Sequence, residues 1–196
     1  PIFVKGKIYL TSAEKNNSTQ SLLCLDRKTG KLIWSKVVHQ GGFPTQLHSE
    51  NSPASASPQW DGQNILVIFQ NDKKIKATAI SPDGTIIWSK TVGDYRPSYP
   101  FGFGSTPVLY KENLIIVIGT KEGGFLTALK SSNGKEVWKT PRAGHDYWAT
   151  PVVATVGGKE QLLISGINKF SSYEPATGKL NWETEAGAKS MCGTIV

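Results

Sequence analysis

The stretch Leu22–Trp34, Leu-Leu-Cys-Leu-Asp-Arg-Lys-Thr-Gly-Lys-Leu-Ile-Trp, recurs three more times in a chain of 196 residues, at Ala77–Trp88, Leu126–Trp138 and Ser171–Trp182. Each copy reads as a short apolar strand, a turn centred on Gly30, Gly84, Gly134 or Gly178, and a second strand. In that second strand Trp34, Trp88, Trp138 or Trp182 follows the glycine by four residues. The tryptophans stand 54, 50 and 44 residues apart. A constant motif at irregular spacing means constant structural units joined by connections of variable length.

Reading outward from each tryptophan recovers the rest of the unit. A strand opening with proline comes first (Pro1, Pro58, Pro107, Pro151), preceded in three cases by small or hydroxylated residues: Ala56-Ser57, Ser105-Thr106 and Ala149-Thr150. A tight turn and an apolar run follow, such as Ile65–Phe69 and Leu114–Ile118. These runs are short, rich in β-branched residues and bounded by turn formers, which argues for strands over helices. The predicted unit is four antiparallel strands, A to D, with limits near 1–38, 57–92, 106–142 and 150–186, and Gly193–Val196 opens a further strand A. Such units are too small to bury both faces alone. The expected fold is therefore all-β: a single β-propeller domain over 1–196, with four blades and the first strand of a fifth. The large apolar plate of each strand D tryptophan is expected to fill the gap between diverging blades.

Composition removes several classes. The 20 glycines and 11 prolines supply the many turns of a β protein. No apolar run reaches the ~18 residues of a membrane-spanning helix. The net charge of +7 is dispersed over turn lysines such as Lys31, Lys73, Lys74, Lys135 and Lys179 rather than gathered in a block, which reads as solvated turns and not a nucleic-acid surface. The two cysteines make no disulfide framework. Cys24 aligns with Ala79, Ala128 and Ser172, a slot for small core residues; Cys192 lies in a glycine-rich connection. No secretory leader is visible. Pro1 falls inside a repeat unit, so the natural chain is expected to begin earlier.

The pattern Asp26-Arg-Lys-Thr-Gly-Lys-Leu-Ile-Trp34, matched by Glu174-Pro-Ala-Thr-Gly-Lys-Leu-Asn-Trp182, resembles the repeat of pyrroloquinoline-quinone-like (PQQ-like) propellers, particularly the BamB-like branch. The second and third copies depart from it, with Ser81 and Lys130 at the acidic position and Asp83 and Asn133 in place of threonine. The resemblance implies seven or eight blades in the complete ring, so the remaining blades come from further chain or from a homo-oligomer. It also implies a periplasmic or secreted location.

Antiparallel alternation places the A–B and C–D turns at one face of the ring, and the B–C turns and D–A connections at the other. The D–A connections are long and unusual, and they hold all three histidines (His39, His48, His145) and most of the aromatics outside the strands. The candidate binding surface is therefore this loop face, with His48, Glu50, Asn51, Arg96, Tyr99, Phe103, Arg142, His145, Asp146, Tyr147 and Trp148. The competing reading is that these loops cap the core. His48-Ser-Glu50-Asn51 and His145-Asp146 have no dedicated metal-ligand spacing, and no metal site is expected. Arg96 and Arg142 suit an anion or an aromatic face. Gly102-Phe-Gly104-Ser105 is neither a dinucleotide loop nor a nucleophile elbow.

A repeat motif specifies a fold and not a reaction. The expectation ranked first is a non-catalytic scaffold of the cell envelope with no cofactor, docking a protein or envelope component through the loop face. A small-molecule or glycan receptor at the channel mouth comes second. Third is a PQQ-dependent dehydrogenase of the kind that shares this repeat. Such an enzyme holds the quinone with Ca²⁺ near a vicinal disulfide, and this chain has no adjacent cysteines and no evident cation-binding set.

Overall fold

The computed structural model describes residues 1–45, 47–144, 147–186 and 195, and every regular element among them is a β-strand. The first sheet is β1 (Ile2–Val4), β2 (Lys7–Glu14), β3 (Thr19–Asp26) and β4 (Leu32–Gln40), and the second is β5 (Gln59–Trp60), β6 (Ile65–Asn71), β7 (Lys74–Ile80) and β8 (Ile86–Asp94). The third comprises β9 (Val108–Tyr110), β10 (Asn113–Thr120), β11 (Gly123–Lys130) and β12 (Glu136–Arg142), and the fourth β13 (Val152–Val156), β14 (Lys159–Gly166), β15 (Lys169–Tyr173) and β16 (Leu180–Glu185). In each sheet the strands lie in chain order, all antiparallel, which is the four-stranded blade the repeat predicts. Strand D of the first two blades runs two residues past its predicted end. His39 consequently sits in β4 and not in a connection. The predicted fifth strand A falls largely outside the described residues, as does Cys192.

The blades stack face to face, and the strand sequences record it. All seven residues of β6 are buried, because Ile65, Val67 and Phe69 face the first blade while Leu66 and Ile68 face the third. That two-sided burial makes the run continuously apolar where a one-sided strand would alternate. Likewise Ile115 and Val117 of β10 face the fourth blade, and Leu114, Ile116 and Ile118 the second. Three interblade cores result, and the innermost strands approach one another, β1 beside β5 and β9 beside β13.

In the first three blades the strand D tryptophan reaches across to the C–D turn of the next blade. The Trp34 indole N–H donates to the Pro82 carbonyl at 3.3 Å, that of Trp88 to Ser131 at 2.7 Å, and that of Trp138 to Pro175 at 3.3 Å. The ring lies against the turn glycine of that next blade, Gly84, Gly134 or Gly178. Opposite each tryptophan in the ladder stands a small residue (Cys24, Ala79, Ala128, Ser172), and a β-bulge follows it in all four blades. Cys24 is fully buried in this slot, and burial pushes its thiol pKa up, as expected for an inert packing residue. Where the motif reads Asp26…Thr29, the carboxylate accepts from the Thr29 hydroxyl and from the amides of Thr29 and Lys28, which lowers its pKa. Glu174 and Thr177 repeat the side-chain bond at 2.6 Å. The departures in the middle copies have their own anchors: Ser81 bonds Asp83, and Lys130 pairs with Glu112 at 2.6 Å.

The small hydroxylated residues before each strand A form a belt linking the blades. Ser57 N–H donates to Thr106 Oγ1 and Thr106 N–H to Thr150 Oγ1, each at 3.1 Å. Ser105 Oγ donates to the Ala149 carbonyl at 3.0 Å. Since proline offers no N–H, the residue before it supplies the donor, and the next blade supplies the acceptor. The belt fixes where each connection enters its blade.

Candidate functional site

The connections 41–58, 95–107 and 143–151 emerge at the same end of the sheets as the B–C turns, as antiparallel alternation requires: one cleft is lined jointly by residues 43–45, 70–73 and 95–100. The first two connections are tied together. His48 N–H donates to the Pro100 carbonyl at 2.6 Å, and the Asn51 amide bonds the Phe101 carbonyl while its oxygen accepts from Ser52 N–H and Ser55 Oγ. Asn51 is thereby a loop strut.

On this frame a ring cluster assembles from all three connections. Tyr99 and Phe101 stack at 5.8 Å and 22°. Trp148 meets Phe101 edge-on at 5.7 Å and Tyr99 at 6.3 Å, and His48 lies 5.8 Å from Phe101. Tyr99 is 56% and Phe101 42% exposed, an apolar surface open to solvent. The Trp148 indole N–H is shielded and has no acceptor among the described residues. A buried donor without an acceptor costs about 1–3 kcal/mol.

The other predicted residues divide clearly. Glu50 is exposed beside His48, and its amide bonds His48 Nδ1 at 3.4 Å. Arg96 is exposed at the rim of the cleft over the second blade. Phe103 is buried in the core between the second and third blades, edge-on to Tyr95 at 5.4 Å, where it can contact no ligand. Tyr147 is likewise buried, in the core between the third and fourth blades, with Gly166 close beneath its ring. Both residues cap cores. Arg142 is wedged in the same seam, its guanidinium 4.0 Å over Tyr147 and 5.7 Å from Tyr173. Burial raises the neighbouring Glu183 carboxyl pKa, but hydrogen bonds from Ser171 and Lys169 and the Arg142 charge outweigh it, leaving the group lowered. His145 and Asp146 lie outside the described residues. Phe101, central to the cluster, is absent from the candidates drawn from the sequence; the signal was its place between Tyr99 and Phe103 in the same connection.

His39 is not part of the cluster. In β4 it meets Phe69 edge-on at 5.8 Å, and burial, with the Lys76 charge second, pushes its pKa down to about 4. Among the described residues no group of three or more His, Cys, Asp or Glu is placed to hold a metal ion, and no helix is long and apolar enough to cross a membrane.

Comparison with known proteins finds likenesses to alcohol and methanol dehydrogenases. The chain is 24% identical over 150 residues to the quinoprotein alcohol dehydrogenase PedH of Pseudomonas putida, a match covering 74% of this chain and 23% of that protein. In structure it superposes on the quinohemoprotein alcohol dehydrogenase ADHIIG of Pseudomonas putida HK5 with a TM-score of 0.64 at 16% identity, covering 94% of this chain and 33% of the other. A europium-containing methanol dehydrogenase follows at 0.59 and 14%, covering 94% and 41%. The chain thus spans about a quarter to two fifths of the length of these relatives. The structural likenesses show the fold. The relatives overturn the ranking made from sequence, which put a non-catalytic scaffold without cofactor ahead of a quinoprotein: these relatives are quinoproteins and dehydrogenases. The ranking erred by weighing missing cation ligands and cysteines in a chain that covers only part of such a protein. Over residues 1–193 the sequence matches the family described as outer membrane protein assembly factor BamB, and the chain belongs to that family.

Proposed function

We propose that this chain is a section of a PQQ-dependent dehydrogenase propeller and that its loop face contributes to the wall of the cofactor site. The observation carrying the reading is the cluster of Tyr99, Phe101 and Trp148 with its shielded, unpartnered indole N–H. Pyrroloquinoline quinone, when bound, supplies a flat fused-ring ortho-quinone bearing carboxylates that accepts two electrons and two protons from an alcohol. The residues fit such a group in two respects. Exposed aromatic faces offer stacking area to a planar ring system, and Trp148 offers a donor to a carbonyl or carboxylate oxygen.

Tyr99 and Phe101 would hold the ring plane, Trp148 would fix its orientation, and the apolar rings would keep water from that wall. His48, whose Nδ1 accepts from the Glu50 amide, stands at the edge of this wall beside Phe101. The described residues assemble no cation cluster, so what they offer such a group is stacking area and a donor. A location in the bacterial envelope accompanies this reading through the family.

Calorimetric titration of the full-length protein with pyrroloquinoline quinone and Ca²⁺ tests it. Binding at micromolar Kd or tighter is expected. Trp148→Phe, which keeps a ring and removes the N–H, should weaken that binding about 5- to 10-fold. Absence of heat from the folded protein refutes the assignment, and unchanged affinity in the Trp148→Phe protein refutes the role of the indole.

A further inference from the structure

A cavity of about 250 Å³ lies along the seam between β12 of the third blade and β15 and β16 of the fourth, and it shares no residue with the ring cluster. At ~30 Å³ per water it has room for about eight waters, the scale of a small organic molecule. Two tyrosines in its lining, Tyr147 and Tyr173, are only 7% and 4% exposed, yet neither hydroxyl makes a hydrogen bond among the described residues. The buried hydroxyls of Tyr95 and Tyr110 are bonded, to the Gly102 carbonyl and the Glu160 carboxylate, each at 2.9 Å. A buried tyrosine ordinarily finds such a partner. Burial raises the pKa of the Tyr147 hydroxyl, which stays a donor at neutral pH. The smaller influences on it come from Arg142, Tyr173, Glu183 and Lys169, side chains that all line the cavity.

Arg142 is the third polar group there without a partner. Its guanidinium lies 4.0 Å over the Tyr147 ring and 5.7 Å from that of Tyr173, with no hydrogen bond and no ion pair among the described residues. Nη1 is shielded from solvent, so the fork it can offer a ligand is the Nε and Nη2 side. The carboxylate in the same cavity, Glu183, is already engaged, by Ser171 Oγ at 2.9 Å and Lys169 Nζ at 3.2 Å. The Thr140 hydroxyl donates to the Gly178 carbonyl at 2.7 Å. Donors therefore exceed acceptors in this cavity, and one positive charge is uncompensated. Pro141, Ala143, Ile167 and Leu180 make the rest of the lining apolar.

We infer that this seam cavity binds a small monocarboxylate with an apolar body. The carboxylate meets Arg142 edge-on, accepting two parallel N–H bonds, and accepts also from the hydroxyls of Tyr147 and Tyr173. The body of the ligand packs against Pro141, Ile167 and Leu180. Glu183 repels a second anionic group, and a neutral ligand leaves the guanidinium unpaired, so a single negative charge is selected. The inference rests on the cavity and is independent of the cofactor reading.

Three probes separate the contributions on the 196-residue chain: benzoate carries a carboxylate on a ring, benzamide the ring without the charge, and inorganic phosphate the charge without an apolar body. Calorimetric titration should show benzoate binding about tenfold or more tighter than either of the others, and its amide chemical-shift changes should centre on residues 141–143 and 167–169. Tyr147→Phe and Tyr173→Phe each remove a hydroxyl that bonds nothing in the free chain, so stability should hold while benzoate affinity falls about 5- to 10-fold. A purely structural role resides in the rings and leaves that affinity unchanged. Benzoate binding no tighter than benzamide or phosphate, or unaffected in both folded phenylalanine variants, overturns the inference. Shifts confined to Tyr99, Phe101 and Trp148 place benzoate on the ring cluster and overturn it as well, and no binding of benzoate overturns it outright.

Discussion

Gly134 and Gly30 have the same backbone conformation, φ +70° and +69°, and differ only in what lies above them. A methyl group on Gly134 would stand 2.8 Å from Cε3 of Trp88, whereas one on Gly30 would meet nothing within 4 Å. Alanine at either site carries the cost of a left-handed backbone, about 1–2 kcal/mol. Gly134→Ala must in addition push Trp88 off its seat. That overpacking costs about 1–3 kcal/mol, and it strains the 2.7 Å bond from the indole to the Ser131 carbonyl, worth about 1 kcal/mol. The expected losses are thus about 1–2 kcal/mol for Gly30→Ala and about 3–6 kcal/mol for Gly134→Ala. Urea unfolding followed by far-ultraviolet dichroism and by tryptophan fluorescence measures both, with a common m-value as the check that the transition itself is unchanged. Gly178, whose added methyl would strike Trp138, should behave like Gly134. Gly30→Ala and Gly134→Ala agreeing within ~0.5 kcal/mol would refute the claim that the tryptophan of one blade is seated on the turn of the next.

Two further expectations concern the same construction. Trp138→Ala empties an interblade core and should cost about 3–5 kcal/mol, whereas Trp182→Ala should cost less than about 1 kcal/mol in this 196-residue chain, because Trp182 is 42% exposed and its indole bonds Gln161 of its own blade at 3.0 Å; equal losses in urea unfolding would contradict this. His39 has a folded-state pKa near 4 against the usual 6.5, so the neutral ring is favoured by folding. Its contribution is complete above pH about 6.5 and is lost as pH falls toward 4, where the unfolded chain binds the extra proton. Stability measured from pH 7 to 4 should decline less steeply in His39→Phe, and an identical acid limb would show that His39 is not the group responsible.

The blade was legible in sequence because its determinants are local and repeated: glycine at the turn, tryptophan four residues on, a small residue opposite it, a β-branched run between. The face carrying the connections was legible too, since antiparallel alternation leaves no other choice. Which aromatics face outward was not. Phe101 and Phe103 are two residues apart in one connection, yet Phe103 fills the core beside Tyr95 and Phe101 joins the exposed cluster. Outside a strand no period of two assigns sides; the packing of Tyr95 and the tie between Asn51 and Phe101 decide.

This division of labour explains why the repeat is silent about chemistry. The residues that make the motif recognisable are consumed by structure: Trp34, Trp88 and Trp138 spend their indole N–H groups on the next blade, and Ser57 and Thr106 give their amides to the belt. Trp148 Nε1, without an acceptor among the described residues, lies where a connection meets a blade. Because the belt pins each connection where it enters strand A, the loop between can change in length and composition without disturbing the cores. The same blades can therefore carry different loop faces, and binding is set by the connections rather than by the repeat.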